Sequence, residues 1–202
     1  MSSILLIQSD PRAAARLIDT LNDDARYAVC GSVASIEAAR RALATRRPDL
    51  LISDLRVCDG SLHELLPSLR PGHPHVLATA ASMADPHILH ALRSGVDGFV
   101  AASAHRDEAI ETIRIVLAGG SPISPEIARK LLALHAVTAP LRDDPLDRMD
   151  RTVLEWSSHG YRLHEVAHGL GITTIEIALR IRGIYRRLRV AATQPEAPQR
   201  VA

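Results

Sequence analysis

The sequence is poor in aromatic residues and in cysteine, and both shortages limit what it can be. Phe, Trp and Tyr make up 2% of its 202 residues, so a core must be built from Leu, Ile, Val and Ala, which suits helices and buried parallel strands. The two cysteines, Cys30 and Cys58, have neither metal-ligand spacing nor a partner pattern. We therefore expect a reduced cytosolic protein without a disulfide framework.

Long apolar runs and an excess of one charge are also missing. No run approaches the ~20 residues that a membrane span requires, and the short apolar N-terminus lacks the basic flank of a signal peptide. The formal net charge is +1, which excludes a uniformly basic coat for nucleic acid but permits a local basic face. The sequence shows no nucleophile elbow, phosphate loop or metal-ligand cluster, so we expect neither a membrane protein nor an enzyme.

The first part of the chain alternates short apolar runs with amphipathic segments. The runs predict strands at residues 3–8, 27–31, 49–53, 75–80 and 98–101, with helices between them. This pattern predicts an α/β doubly wound domain with a five-stranded parallel sheet over residues 1–120. Ligands in such sheets bind beyond the carboxyl ends of the strands, where Gln8, Ser9, Asp54, Ala80 and Ala102 fall.

The remaining residues predict a linker and a second, helical domain. Residues 121–145 are expected to hold a short helix at 125–135 and a flexible hinge at 136–145. Residues 146–190 predict helices at 149–158, 163–169 and 174–188, with a glycine turn before the last. Pro195 and Pro198 predict a frayed tail over residues 191–202.

Three stretches of the first domain, ILLIQSDP, PDLLISDLRVCDGS and ALRSGVDGFVAAS, resemble the receiver domain of response regulators. The resemblance implies flavodoxin-like strand order and a phosphoacceptor at Asp54. It places the acidic pair that holds Mg²⁺ on Gln8 and Ser9, and the phosphate-binding lysine on Ala102. It places the hydroxyl group on Ala80, or on Thr79 if the fourth strand slips by one residue, and the switch aromatic on Phe99.

Most of the implied phosphorylation machinery is replaced by uncharged residues. Mg²⁺ is held through carboxylates and phosphate oxygens, and each lost charge contact is worth ~1–4 kcal/mol at ~4 Å. We therefore predict doubtful Mg²⁺ binding, no other cofactor, and an Asp54 that is a relic or part of a different polar pocket; a live phosphoacceptor is the alternative. Asp10 is expected to cap a helix. Cys58 is expected to be a small buried residue, with a thiol sensor as the alternative.

The segment LDRMDRTVLEWSSHGYRLHEVAHGLGITTIEIALRIRGIYRRLRV resembles the LuxR-type helix-turn-helix of NarL/FixJ response regulators, without a gap at the core positions. The resemblance implies an all-α four-helix domain that lays one helix in the DNA major groove. Ile175 and Ala178 suit thymine methyl groups, whereas Glu176 would repel phosphate unless it accepts from a cytosine amino group. The predicted DNA-contacting residues are Thr173, Thr174, Ile175, Ala178, Arg180, Arg182, Arg186 and Arg187.

The leading hypothesis is a transcription regulator that binds double-stranded DNA as a homodimer and is controlled independently of aspartyl phosphorylation, by a small-molecule effector, a protein partner or its expression level. Dimer contacts are expected on the first and fifth helices. One alternative is a conventional two-component regulator phosphorylated at Asp54 by a histidine kinase. Another is a protein-interaction adaptor that no longer binds DNA, which Glu176 and Ala178 favour. His164 and His168 are expected to be surface residues, not metal ligands.

Overall fold

The structure, a computed structural model, describes residues 1–69, 74–138 and 146–193. Its strands are Ser2–Ile7 (β1), Tyr27–Val33 (β2), Leu50–Asp54 (β3), Arg56–Val57 (β4), Gly60–Ser61 (β5), His75–Ala80 (β6) and Gly98–Ala101 (β7). Five of them form one parallel sheet in the order β2-β1-β3-β6-β7, and β4 and β5 form a small antiparallel hairpin. The order confirms the predicted doubly wound fold.

The central strands are buried because helices cover both faces of the sheet. The four apolar residues Ile4, Leu5, Leu6 and Ile7 of β1 are fully buried, as expected for a strand inside a parallel sheet. The covering helices are Pro11–Asn22 (α1), Ile36–Thr45 (α2), Leu62–Leu65 (α3), His87–Ser94 (α4) and Arg106–Leu117 (α5). The sequence patterns located all of these except α3 and the hairpin, which are too short to show a period.

Polar side chains cap the first helices, as the sequence indicated. The Asp10 carboxylate accepts a hydrogen bond from the Arg12 backbone N–H at 2.9 Å, and Pro11 occupies the first turn of α1. The Ser35 hydroxyl accepts from the Ala38 backbone N–H at 3.1 Å at the start of α2. Each cap satisfies a backbone donor that the helix leaves without a partner, so Asp10 is a helix cap.

The C-terminal region is helical, with helices Pro125–Thr138 (α6), Arg148–Ser158 (α7), Leu163–Leu170 (α8) and Thr174–Thr193 (α9). Because α6 extends to Thr138, residues 136–138 of the predicted hinge are helical; its remainder, 139–145, lies outside the described residues. Similarly α9 continues to Thr193, past the predicted start of the frayed tail, and 194–202 lie outside the described residues. A fourth helix after α9 would fall there too.

One continuous cluster of buried apolar residues joins the sheet to the helical region. It runs from Leu5 and Ala78 of the sheet through Ile88 of α4 and Leu131 of α6 to Ile181 of α9. Helix α6 packs on α7, and α9 packs on both α8 and α4. The helical region is therefore docked against the sheet domain. Within the described ranges, no helix combines the length and the apolar character that crossing a bilayer requires.

Candidate functional site

Asp54 lies at the carboxyl end of β3 and has two hydrogen-bond partners. Its Oδ2 accepts from the Ser9 backbone N–H at 3.1 Å, and its Oδ1 accepts from the Thr79 hydroxyl. Asp54 is paired in register with Thr79 of β6. Because neighbouring residues of a strand face opposite sides of the sheet, the side chain of Ala80 is instead buried in the apolar cluster. Assigning the hydroxyl position to Ala80 was therefore wrong, and no slip is needed to bring Thr79 to Asp54.

A small cavity of about 170 Å³ surrounds this carboxylate. Gln8, Thr79 and Ala102 line it with Asp54, as the sequence predicted, and Arg16 and Arg106 add two guanidinium groups. The Gln8 side chain is buried, and its Oε1 has no hydrogen-bond partner among the described residues. Among the described residues that line the cavity, Asp54 is thus the one carboxylate, and the other polar groups are neutral or cationic. This donor set does not fit Mg²⁺, which takes hard oxygen ligands from carboxylates, phosphates and water, because a single carboxylate stands here beside two cationic groups.

Two further residues of the receiver-like domain differ in their surroundings. Phe99, at the switch-aromatic position, is 6% exposed and packs in the apolar cluster. Cys58 is exposed, and its Sγ donates to the Ala34 carbonyl at 3.2 Å. The burial predicted for Cys58 was wrong because the β4–β5 hairpin, which the sequence did not reveal, places this residue in its connecting turn.

The helix-turn-helix is built from α8, a glycine turn and α9. Gly171 ends α8 with a φ of 68°, a left-handed conformation that side chains disfavour. The Glu176 carboxylate accepts from the backbone N–H and the hydroxyl of Thr173, each at 2.7 Å, and these bonds lower the pKa of Glu176. Glu176 is therefore the glutamate of a capping box, three residues after the N-cap Thr173. Its carboxylate is turned back to the helix start but stays exposed, so the repulsion of phosphate remains a prediction.

Two arginines predicted to contact DNA are bound inside the helical region. Asp150 of α7 is 2% exposed and forms ion pairs with Arg180, at 2.8 Å, and with Arg187. Arg180 also pairs with Asp147 at 2.7 Å. These contacts fasten α9 to α7. Arg180 and Arg187 are therefore partly committed to the fold, although DNA contact stays a prediction for both.

Another face of α9 lies against the sheet domain. Ala178 is fully buried, its Cβ lies against Gly120, and its carbonyl accepts from the Ser121 backbone N–H at 2.9 Å. The Tyr185 hydroxyl, also fully buried, donates to the Pro122 carbonyl at 2.9 Å. The outward orientation predicted for Ala178 was therefore wrong, because helical periodicity alone does not reveal a neighbouring domain.

Asp97 forms the charged part of this interdomain contact. Its carboxylate pairs with Arg189 at 3.1 Å and with Arg182 at 3.4 Å, and it accepts from the Val76 backbone N–H at 3.0 Å. Burial acts to raise the pKa of Asp97, but hydrogen bonds from His75 and Val76 and the two guanidinium charges outweigh it and hold the pKa below its ordinary value. We call Asp97, Arg182 and Arg189 the interdomain latch.

The other predicted DNA-contacting residues are Thr173, directly before α9, and Thr174, Ile175 and Arg186 of α9. Thr173, Ile175 and Arg186 are exposed and Thr174 is half-buried. Sequence reasoning missed two residues, Leu179 of α9 and Asp97 of the receiver-like domain. Leu179, one turn after Ile175, is 48% exposed, and the helical period alone would have placed it there. Asp97 was missed because a lone acidic residue before a strand does not indicate that a distant basic helix packs on it.

Comparison with known proteins supplies relatives for this architecture. No protein-family model matches the chain. The transcriptional regulatory protein UhpA of Escherichia coli is 29% identical over 163 residues, which cover 79% of each chain. The DNA-binding transcriptional activator DevR/DosR of Mycobacterium tuberculosis is 27% identical over 172 residues, 83% of this chain and 79% of the relative. The chain is similar in sequence to these regulators and, in its fold, to response regulators.

Solved structures of such response regulators share the fold. RcsB of Salmonella typhimurium superposes with a TM-score of 0.55 at 17% identity, over 93% of this chain and 91% of RcsB. A LuxR-family response regulator from Aurantimonas has a TM-score of 0.59 at 24% identity, over 67% of this chain and 99% of that one. Another structure, with a TM-score of 0.56 at 16% identity over 96% and 99% of the two chains, contains two RcsB dimers on DNA.

Proposed function

We propose that this protein is a cytoplasmic, DNA-binding transcription regulator that acts as a dimer and is controlled without aspartyl phosphorylation. The control without aspartyl phosphorylation is supported by the residues that surround Asp54. Neutral Gln8 and Ser9 stand where the receiver family has its acidic pair, and Ala102 stands in place of the lysine. A phosphoryl group on Asp54 would therefore lack the metal ion and the lysine ammonium that neutralise its charge in that family, and the cations that line its cavity are instead the guanidinium groups of Arg16 and Arg106.

DNA binding is supported by the relatives and by the capped helix that follows the glycine turn. UhpA and DevR/DosR are transcription regulators, DevR/DosR is described as DNA-binding, and RcsB has been seen as dimers on DNA. The capping box explains Glu176 as a structural residue, which removes one of the two features that favoured an adaptor without DNA binding. Arg182 and Arg186 supply positive charge on the face of α9 that a helix-turn-helix presents to phosphates.

The interdomain latch holds α9 against the receiver-like domain, and we call this arrangement the closed state. Arg182 lies against Asp97 instead of a phosphate, and the Ala178 side of α9 is covered by the sheet domain. An α-helix must present its face openly to enter the major groove. DNA binding therefore requires α9 to leave the receiver-like domain, and whatever signal separates the two regions activates the protein.

The experiment compares purified full-length protein with Asp97→Asn and with Asp19→Asn, an exposed residue of α1, as the matched control. Genomic fragments are selected without any phosphodonor, and the best fragment is titrated at several salt concentrations. We expect specific binding that weakens steeply with salt, and tighter binding by Asp97→Asn than by wild type or Asp19→Asn. No specific binding by any of the three proteins would leave the adaptor as the better explanation.

One observation favours conventional signalling as a second candidate, because the Thr79 hydroxyl contacts Asp54 and is placed to contact a phosphoryl oxygen. Incubation with radiolabelled acetyl phosphate and Mg²⁺ distinguishes conventional signalling from control without phosphorylation. We expect no label above the level of Asp54→Ala, and no change in DNA affinity. Stoichiometric label on wild type alone, with a gain in DNA affinity, would establish the conventional mechanism instead.

A further inference from the structure

Large apolar side chains are exposed at few places in the described part of the chain. Besides Met1 and Tyr161, they are Ile175 and Leu179, which are 39% and 48% exposed. These two residues are four apart in α9, so they lie one turn above the other on the same face of the helix. We call them the apolar stripe. A scattered exposed leucine is ordinary, but two adjacent aliphatic side chains near the start of this helix form a small defined surface.

The apolar stripe is followed along α9 by two arginines and has one carboxylate beside it. Arg182 and Arg186 continue the same side of α9, seven and eleven residues after Ile175. The nearby carboxylate of Glu176 is held by Thr173 at the helix start. Ile175 and Leu179 stay exposed while Ala178 and Arg182 contact the receiver-like domain, so the closed state does not use them. A surface with both apolar and cationic side chains is complementary to a polyanion that also carries apolar groups.

We propose that Ile175 and Leu179 recognise the 5-methyl groups of thymines in the operator. Among the groups that base pairs expose in the major groove, the thymine methyl is the apolar one, and aliphatic side chains read it by contact. The proposal rests on the DNA-binding function proposed above and adds its specificity. It predicts that each operator half-site has thymines opposite the first two turns of α9. The apolar contact that the sequence predicted at Ala178 is made by Leu179 instead.

The test replaces single thymines of the selected operator by deoxyuridine, which pairs identically and lacks only the methyl group. Binding is measured with full-length Asp97→Asn, in which the latch is weakened. At one or two positions per half-site we expect a loss of about fourfold for each lost methyl contact, and no change at the others. In the Leu179→Ala variant the affinity for the thymine operator falls, and the sensitivity to deoxyuridine at one of these positions disappears. Leu43→Ala, which changes a half-buried leucine of α2, is the control and keeps that sensitivity.

Three outcomes would overturn the proposal, and they are distinguishable. Specific binding that is indifferent to deoxyuridine at every position would refute methyl recognition and leave the DNA-binding function intact. Failure of all variants to bind any DNA would remove both. If Leu179→Ala instead dissociates a dimer in sedimentation without changing DNA affinity, the apolar stripe is an interface between copies of the chain.

Discussion

At the scale of single residues, Asp150 shows how one carboxylate organises a domain. It is almost fully buried and pairs with Arg180 and Arg187, so α7 and the last helix are joined through one side chain. A buried charge is tolerated only when it is paired. The two arginines remain partly exposed, so solvent moderates the strength of the pairs.

We predict that Asp150→Asn lowers the free energy of unfolding by about 2 kcal/mol, because the two guanidinium groups lose their charged acceptor. Urea denaturation followed by the fluorescence of Trp156 would measure the change. Asp19→Asn, on the exposed side of α1, should change the stability by less than about 0.5 kcal/mol. Equal losses of unfolding free energy in Asp150→Asn and Asp19→Asn would show that the ion pairs of Asp150 do not stabilise the fold.

The residues around Asp54 show which members of a site can be identified from the sequence and which cannot. Gln8, Ser9 and Ala102 were identified from the sequence because they end strands of a recognisable sheet. The choice between Thr79 and Ala80 required the register of β6 against β3, since a difference of one residue reverses the face to which a side chain points.

At the scale of elements, the contact between α9 and the segment after α5 depends on the absence of a side chain. A Cβ added at Gly120 would lie 2.6 Å from the Cβ of Ala178 and 3.2 Å from its carbonyl carbon. The two segments approach so closely that the Ser121 N–H reaches the Ala178 carbonyl. The closed state therefore requires glycine at position 120.

We predict that Gly120→Ala forces α9 away from the receiver-like domain and tightens operator binding by full-length protein, since the open state is the one that binds. Fluorescence anisotropy with the selected operator would measure it. The control is Gly183→Ala within α9, where the new methyl meets only the end of Arg187 at 3.5 Å. It should add about 0.5–1 kcal/mol of helix stability and leave the closed contact in place. Weaker or unchanged binding by Gly120→Ala would contradict this role.

Helices α7 to α9 were predictable because each carries its own apolar period. The continuation of α6 to Thr138 was not, because the residues there are compatible with either helix or hinge, and packing against α7 decides between them.

At the scale of the whole molecule, the closed arrangement combines a shared apolar cluster with the interdomain latch. The pKa of Asp97 is lowered in the folded state, so its contribution to closure is complete above its ordinary pKa and is lost as the pH falls through the lowered value. The groups that face it are His75, Arg182 and Arg189.

We predict that wild-type protein keeps a constant radius of gyration at neutral and mildly acidic pH and expands once the pH falls below about 3.8, the ordinary value for Asp97. Small-angle X-ray scattering would follow the transition. Asp97→Asn should already be expanded at neutral pH and change less on acidification, whereas Asp19→Asn should behave as wild type does. An identical neutral radius for Asp97→Asn and wild type would show that the apolar contacts alone keep the protein closed.

The sequence by itself determined the two kinds of domain, the strand and helix pattern and the absence of the family's acidic pair and lysine around Asp54, because periodicity, caps and chain order are local properties. The two arginines of that cavity, Arg16 and Arg106, appear only in the tertiary structure. Only the tertiary structure decided which face of α9 is free. Ala178 and Arg182 are drawn to the receiver-like domain while Ile175 and Leu179 stay exposed. The physical reason is that a helix presents several faces of similar composition, and the neighbour that covers one of them is encoded far away, at Asp97 and Gly120.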